Sequence, residues 1–172
     1  MTDRPSSYGY DDIIKGGEGT LLGEGAPRLP LPPMLMFDRI TNLDETGGVH
    51  GKGGVTAEFD IHPDLWFFKC HFKDDPVMPG CLGLDAVWQL TGFYLGWLGH
   101  KGKGRALGVG EIKLKAMIEP SIKLVRYEVD FTRVIARKLV MGVADARIYA
   151  DDELAFDIKG MKVGVFGAED AE

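Results

Sequence analysis

The residues best suited to acid–base chemistry lie in one short stretch of the chain. Both cysteines, Cys70 and Cys81, fall in this stretch together with His71, one of four histidines. Asp85 is the single charged residue between positions 81 and 98. A histidine titrates near neutral pH and can act as a general base, while a carboxyl group in apolar surroundings can stay protonated and act as an acid. The stretch therefore indicates proton-transfer chemistry.

A buried helix is predicted to begin at Pro79-Gly80. A proline is tolerated at a helix start because the first N–H groups have no acceptor within the helix. From there to about Leu98, apolar residues cover nearly the whole circumference, which places the helix inside a protein or a bilayer. Asp85 would cost about 2.5–3.5 kcal/mol at the centre of a bilayer. We therefore expect a buried helix and no membrane insertion.

This set of residues could remove water from an acyl thioester that carries a hydroxyl group on its β-carbon. His71 would take the α-proton, and Asp85 would deliver a proton to the departing hydroxyl or hold it through water. The N–H groups of Gly80 and Cys81, at the positive end of the helix dipole, would polarise the thioester carbonyl. Glycine at position 80 would also let that carbonyl approach the backbone closely.

Each of these residues also has a simpler role open to it. A histidine beside a cysteine is compatible with a purely structural position, and a carboxylate near a helix start can merely complement the dipole. Cys81 could be a nucleophile paired with His71, although free cysteines are usually small buried hydrophobes. Zinc ligation by Cys70, His71, Cys81 and Asp85 is possible on residue types, but the spacing matches no standard ligand pair. We expect no metal and no cofactor.

Length, charge and cysteine content exclude several classes of protein. The chain has 172 residues, 45% of them hydrophobic, and a formal net charge of -6. This length suits one domain over residues 1–172, and the acidic balance argues against nucleic-acid binding. Two cysteines make no disulfide framework, and the first twelve residues lack the apolar run of a signal peptide, so we expect a cytoplasmic protein.

The periodicity of the chain predicts an α+β fold, preceded by an N-terminal arm over residues 1–33 whose prolines force an extended path. The predicted elements are a short helix over residues 10–15 ended by Gly16-Gly17, strands over residues 34–40 and 54–61, the long helix over residues 80–98, and strands over residues 105–114, 125–132, 139–149 and 154–165. Because the last four strands have short connections, they should form an antiparallel meander. A sheet of about six strands covers one side of the helix, so exposed apolar residues, including some of Trp88, Trp97, Phe67 and Phe68, would pair two subunits.

Three segments of the chain are distinctive in combination: LWFFKCHF, DPVMPGCLGLDAVWQLTGFYLGWLG and KGRALGVGEIK. Together they resemble the bacterial 3-hydroxydecanoyl-acyl carrier protein dehydratase/isomerase family. The similarity extends over nearly the whole chain, including residues 157–164 near the C-terminus. Phe37 and Lys69 depart from the expected side chains, and neither departure removes a functional group. The resemblance implies a hot-dog fold and a homodimer with two composite active sites.

For the site, the resemblance implies that His71 is the catalytic histidine and that Asp85 acts from the opposite subunit. The Gly80 N–H would hold the carbonyl oxygen, and Cys81 and Val77 would lie near the substrate. Aspartate instead of glutamate at position 85, together with the long arm, favours the bifunctional branch over the dehydratase-only sister family. The implied reactions are dehydration of a 3-hydroxyacyl thioester of about ten carbons and isomerisation of the trans-2 to the cis-3 enoyl product, in bacterial unsaturated fatty acid synthesis.

The implied partner is acyl carrier protein, which is acidic. Several basic residues would contact it. Arg133, Arg137 and Lys138 cluster around one predicted turn, Lys162 lies on the last strand, and Arg39 lies earlier in the chain. Two rival functions remain open for the sequence. A hot-dog thioesterase would hydrolyse the same class of bond with a carboxylate and water, and a non-enzymatic acyl-binding protein would exchange no α-proton.

Overall fold

A computed structural model describes residues 3–167 of the chain. Helix α1 spans Tyr10–Glu18, helix α2 spans Gly80–Trp97, and a 3-10 helix spans Trp66–Lys69. In these residues seven strands follow the order β1 (Arg39–Asp44), β2 (Gly54–Asp60), β3 (Lys103–Gly108), β4 (Glu111–Leu114), β5 (Leu124–Ala136), β6 (Val140–Ala150) and β7 (Glu153–Phe166).

The strands form one antiparallel sheet in the order β1-β2-β5-β6-β7-β3, with β4 also paired to β7. The expected fold class is confirmed, with seven strands where about six were predicted. Residues of β5 alternate between the helix side and the outer side, and Val125, Tyr127 and Val129 are buried. The half-buried pattern read from the sequence is therefore correct for this strand.

Helix α2 lies against the inner face of the sheet and contacts β2, β3, β5, β6 and β7. Ala86, Val87 and Leu90 are completely buried, and the Tyr94 ring stacks on Phe131 at a centroid distance of 4.0 Å. Burying an aliphatic side chain such as Leu90 contributes roughly 1.5–3 kcal/mol, so the apolar circumference of α2 stabilises the fold. Within residues 3–167, no helix is long and apolar enough to cross a membrane.

The predicted four-strand meander is wrong in its first member. Residues 105–114 form two short strands, and both pair with β7 rather than with β5. Gly110 lies between them and donates its backbone N–H to the Lys159 carbonyl over 3.0 Å. The long strand β7 can hold both β3 and β4 because it has 14 residues, so only β5, β6 and β7 are consecutive neighbours.

Two boundaries near the N-terminus also differ from expectation. Helix α1 continues through Gly16 to Glu18, and Gly19, whose φ is +82°, ends it. Gly16 is buried, and a Cβ there would lie 3.1 Å from the Leu29 Cδ1 atom, so this glycine serves close packing instead of termination. The first strand begins at Arg39 and not at residue 34, because the backbone of Met34 and Met36 is bonded to the side chains of Gln89 and Tyr127.

The large aromatic residues expected at a subunit interface are mostly buried within their own chain. Phe67, Phe68 and Trp97 are buried and Trp88 is half-buried. The exposed apolar surface lies elsewhere, and Leu114 and Met117 are 61% and 70% exposed, respectively. Phe67 and Phe68 are buried because the 3-10 helix packs against the core. Their rings are in edge contact at a centroid distance of 4.7 Å.

Candidate active site

His71 follows the 3-10 helix and is held by backbone atoms. Its N–H donates to the Phe67 carbonyl over 2.9 Å, and its ring Nδ1 lies 2.9 Å from the Val77 carbonyl oxygen. Because a carbonyl oxygen can only accept, this hydrogen bond assigns the ring proton to Nδ1. The neutral ring therefore keeps Nε2 unprotonated and able to accept a proton.

The loop that carries His71 is closed on itself. The Val77 N–H donates to the His71 carbonyl over 2.8 Å, so the two residues are joined in both directions. Between them, Phe72 and Asp75 exchange backbone hydrogen bonds of 2.8 and 3.0 Å. The Phe72 ring also stacks on the His71 ring at 4.0 Å. These contacts fix the orientation of the imidazole within one short segment.

An apolar cleft of about 310 Å³ opens beside His71. Its walls include Val77, Met78, Gly80, Leu114, Met117 and Phe156. Gly80 is the first residue of α2, and no side chain caps this helix start. A Cβ at position 80 would lie 3.1 Å from the Leu114 Cδ1 atom. The glycine thus leaves room at the positive end of the helix dipole, where a carbonyl oxygen could meet free N–H groups.

Asp85 lies in a different cleft, of about 190 Å³. Arg28, Leu29, Trp88, Phe93 and Arg105 are among its lining residues. None of the residues that line this cleft also lines the His71 cleft. One chain therefore presents the predicted base and the predicted acid at two separate openings.

Gln89 is a residue of this site that the sequence analysis did not single out. It is 9% exposed, and its Nε2 donates to Asp85 Oδ2 over 2.6 Å and to the Met34 carbonyl over 2.9 Å. Its Oε1 accepts the Met36 N–H over 3.2 Å. The signal was present in the spacing, because a polar side chain four residues after Asp85 shares its helix face.

Both cysteines are free and exposed. Cys70 Sγ lies 3.6 Å from the Trp66 carbonyl, and Cys81 adjoins Gly80 without lining either cleft. Within residues 3–167, no group of three or more histidine, cysteine or acidic side chains is arranged to hold a metal ion. The four zinc candidates are thus not brought together.

Four of the basic residues expected to contact a carrier protein are exposed, two of them on strands and two in a hairpin loop. Val143 pairs with both Arg133 and Lys162, so these two cations share one row across β5, β6 and β7. Arg137 and Lys138 lie in the hairpin that joins β5 to β6. We call these four residues, Arg133, Arg137, Lys138 and Lys162, the hairpin patch.

Arg39, which the sequence analysis grouped with these basic residues, lies outside the hairpin patch and is paired with acidic neighbours. Its guanidinium contacts Asp60 at 2.7 Å and Glu58 at 3.0 Å. The hydrogen bond from Arg39 lowers the pKa of Asp60 below the usual aspartate value. Nearby, burial raises the pKa of Asp38, whose Oδ2 accepts the Asp60 N–H over 2.7 Å.

The antiparallel sheet wrapped around one buried helix is a hot-dog fold. The chain matches the FabA-like domain family over residues 29–159, and it belongs to that family.

Solved structures share the fold at low sequence identity. The dehydratase heterocomplex ApeI:P from Xenorhabdus doucetiae has a chain with a TM-score of 0.65 and 12% identity, over 95% of this chain and 94% of that chain. The uncharacterized protein PH1136 from Pyrococcus horikoshii reaches 0.56 at 6% identity, over 84% and 93%. Cj0977 from Campylobacter jejuni, a sigma28-regulated virulence protein, reaches 0.52 at 9% identity, over 80% of each chain.

Proposed function

We propose that this protein dehydrates 3-hydroxyacyl thioesters on acyl carrier protein and isomerises the trans-2-enoyl product to the cis-3-enoyl thioester. The chain-length optimum is about ten carbons, and the setting is bacterial unsaturated fatty acid synthesis in the cytoplasm. The observation that carries the proposal is the hydrogen bond from His71 Nδ1 to the Val77 carbonyl. It leaves Nε2 as a base at the mouth of an apolar cleft.

In the first reaction His71 Nε2 removes the α-proton while negative charge develops on the thioester oxygen. The N–H groups at Gly80 and Cys81 stabilise that charge, because they lack acceptors within the helix and lie at its positive end. Asp85 gives a proton to the β-hydroxyl, which leaves as water. The acyl chain lies along apolar walls such as Leu114 and Phe156.

In the second reaction the trans-2 enoyl thioester loses a γ-proton and forms a dienolate, which the same N–H groups hold. Reprotonation at the α-carbon then gives the cis-3 product. A single histidine with a fixed ring can remove the proton at the γ-carbon and return one at the α-carbon, because both carbons belong to the same bound chain.

The separation of the two clefts supports a shared site between two subunits. We propose a homodimer in which His71 of one protomer faces Asp85 of the other, so that each active site uses two chains. The exposed apolar side chains beside the His71 cleft, such as Leu114 and Met117, would be covered by this contact. The hairpin patch would steer the acidic carrier protein.

The direct test is incubation with 3-hydroxydecanoyl thioester and chromatographic separation of the products. Formation of both trans-2 and cis-3 decenoyl thioesters is the expected result. The trans-2 product alone would assign the protein to a dehydratase-only activity, and free thiol with fatty acid would assign a thioesterase. Absence of α-deuterium exchange in heavy water would instead identify an acyl-binding protein.

The carrier-protein contact has its own test. Reversing the charges of Arg137 and Lys138 should raise the KM for carrier-linked substrate at low salt, because these residues attract an acidic partner. An unchanged KM would exclude the hairpin patch as the docking surface.

A further inference from the structure

A second group of cations lies beside the Asp85 cleft. An adjoining cleft of about 480 Å³ is lined by Arg28, Lys103 and Arg105, and no acidic residue among residues 3–167 lines it. The two clefts share Arg28, Gly104 and Arg105 as lining residues. They are therefore contiguous, and this basic cleft forms an approach to Asp85.

Two distant segments are joined to make the basic cleft. The Gly102 N–H donates to the Gly25 carbonyl over 2.7 Å, which holds the arm that carries Arg28 against the start of β3. A Cβ at Gly102, whose φ is +137°, would lie 2.3 Å from the Phe166 carbonyl oxygen. Glycine is thus required where these backbones approach.

The three cations of this cleft have no ion-pair partner in the part of the chain that the structure describes. Elsewhere Arg39, Arg126 and Arg147 contact carboxylates. Within residues 3–167, by contrast, none of Arg28, Lys103 and Arg105 forms an ion pair. In a chain of net charge -6, three uncompensated cations around one opening select for an anionic group.

We propose that Arg28, Lys103 and Arg105 bind the phosphate of the phosphopantetheine arm that carries the acyl thioester. The inference rests on the proposed thioester substrate and adds a site that is separate from the hairpin patch. Guanidinium groups suit this role because they can donate two parallel hydrogen bonds to one phosphate. With the phosphate in the basic cleft, the thioester end of the arm enters at Asp85.

Equilibrium binding tests the site without requiring catalysis. Isothermal titration would compare 4′-phosphopantetheine with pantetheine, which lacks the phosphate. We expect 4′-phosphopantetheine to bind more tightly, and we expect Arg28→Gln/Arg105→Gln to raise its Kd about three- to tenfold at low salt. The control Lys52→Gln/Lys123→Gln removes the same charge from exposed lysines outside the cleft and should leave that Kd unchanged.

Equal Kd values for the two compounds would overturn the proposal, as would an equal effect of both double variants. High salt should reduce the difference between the two compounds, because exposed charges are screened. These results do not depend on turnover, so the phosphate site can fail or succeed separately from the dehydratase activity.

Steady-state kinetics then show which substrates bind their phosphate in the basic cleft. The same 3-hydroxyacyl group would be presented on N-acetylcysteamine, on coenzyme A and on carrier protein. In Arg28→Gln/Arg105→Gln we expect kcat/KM for both phosphate-bearing substrates to fall relative to N-acetylcysteamine. A loss with coenzyme A alone would place the carrier arm elsewhere and overturn the assignment for the carrier-linked substrate, and an unchanged ratio for both would overturn it entirely.

Discussion

The orientation of His71 depends on contacts between residues close together in the sequence, whereas the orientation of Asp85 depends on contacts between residues far apart in the sequence. His71 is oriented by Phe67, Phe72 and Val77, all within a few positions of it. Asp85 is held by Gln89, which in turn bonds the backbone of Met34 and Met36 some fifty residues earlier. Because β1 begins only at Arg39, the arm is taken from here on to include residues 34–38. The base is therefore set by local structure, and the acid is set by tertiary contacts. Changes to the arm should disturb the Asp85 side and spare the His71 side.

The largest effect is expected at the base. His71→Asn keeps a side chain of similar polarity but removes the proton acceptor at Nε2, so dehydration should fall about a hundred- to ten-thousandfold. Single-turnover assays with 3-hydroxydecanoyl thioester measure the loss. Denaturant unfolding serves as the control for folding, and full dehydration by a well-folded variant would contradict the role of His71.

The separation of the clefts predicts complementation between inactive variants. His71→Asn and Asp85→Asn should each be inactive alone. Mixed heterodimers would contain one intact site, so refolding an equal mixture should restore about a quarter of the unmodified activity. No recovery, with heterodimers demonstrated by mass spectrometry, would place both residues in a same-chain site.

A smaller effect is expected from replacing Gln89, whose hydrogen bonds join Asp85 to the arm. Gln89→Met is close in volume but removes three hydrogen bonds and leaves the Met34 carbonyl and the Met36 N–H unsatisfied. The free energy of unfolding should fall by about 1–3 kcal/mol, and kcat should fall as Asp85 loses its orientation.

Tyr127→Phe is the matched control for Gln89→Met. It deletes the 2.7 Å hydrogen bond to the Met36 carbonyl, which lies on the same arm but does not touch Asp85. We expect a loss of about 1 kcal/mol with kcat nearly unchanged. If both variants lowered kcat equally, the effect would come from the arm as a whole and not from Gln89.

The smallest effect concerns the ion pair that anchors the end of the arm. Arg39 lowers the pKa of Asp60, so the pair stabilises the fold at pH values above the unfolded pKa of about 4. This contribution is lost as pH falls through the lower folded pKa. Because both side chains are partly exposed, the expected change is modest.

Urea unfolding between pH 3 and 6 checks this prediction. Arg39→Gln should lower stability at pH 6 and flatten the decline toward pH 3. The raised pKa of Asp38 acts in the opposite direction, so the experiment is best repeated in an Asp38→Asn background. An identical pH profile with and without Arg39 would contradict the assignment.

The sequence was a good guide wherever a pattern is local. The apolar circumference of α2 and the alternation in β5 led to the correct elements, since side-chain spacing along one segment decides which face is buried. The pairing of residues 103–114 with β7 was missed. The side-chain spacing of a short strand does not indicate which other strand of the sheet it will pair with. Gly16 was misread for a related reason, as its role is close contact with Leu29.

By itself, the sequence determined the chemistry available: one histidine, one isolated carboxylate and a Pro-Gly helix start, on a helix that had to be buried. Tertiary structure alone decided that His71 and Asp85 open into separate clefts, that Gln89 joins Asp85 to the arm, and that Arg28 and Arg105 line one cleft. These arrangements join residues far apart in the chain. Their positions depend on how the whole sheet closes around α2, which no short-range pattern records.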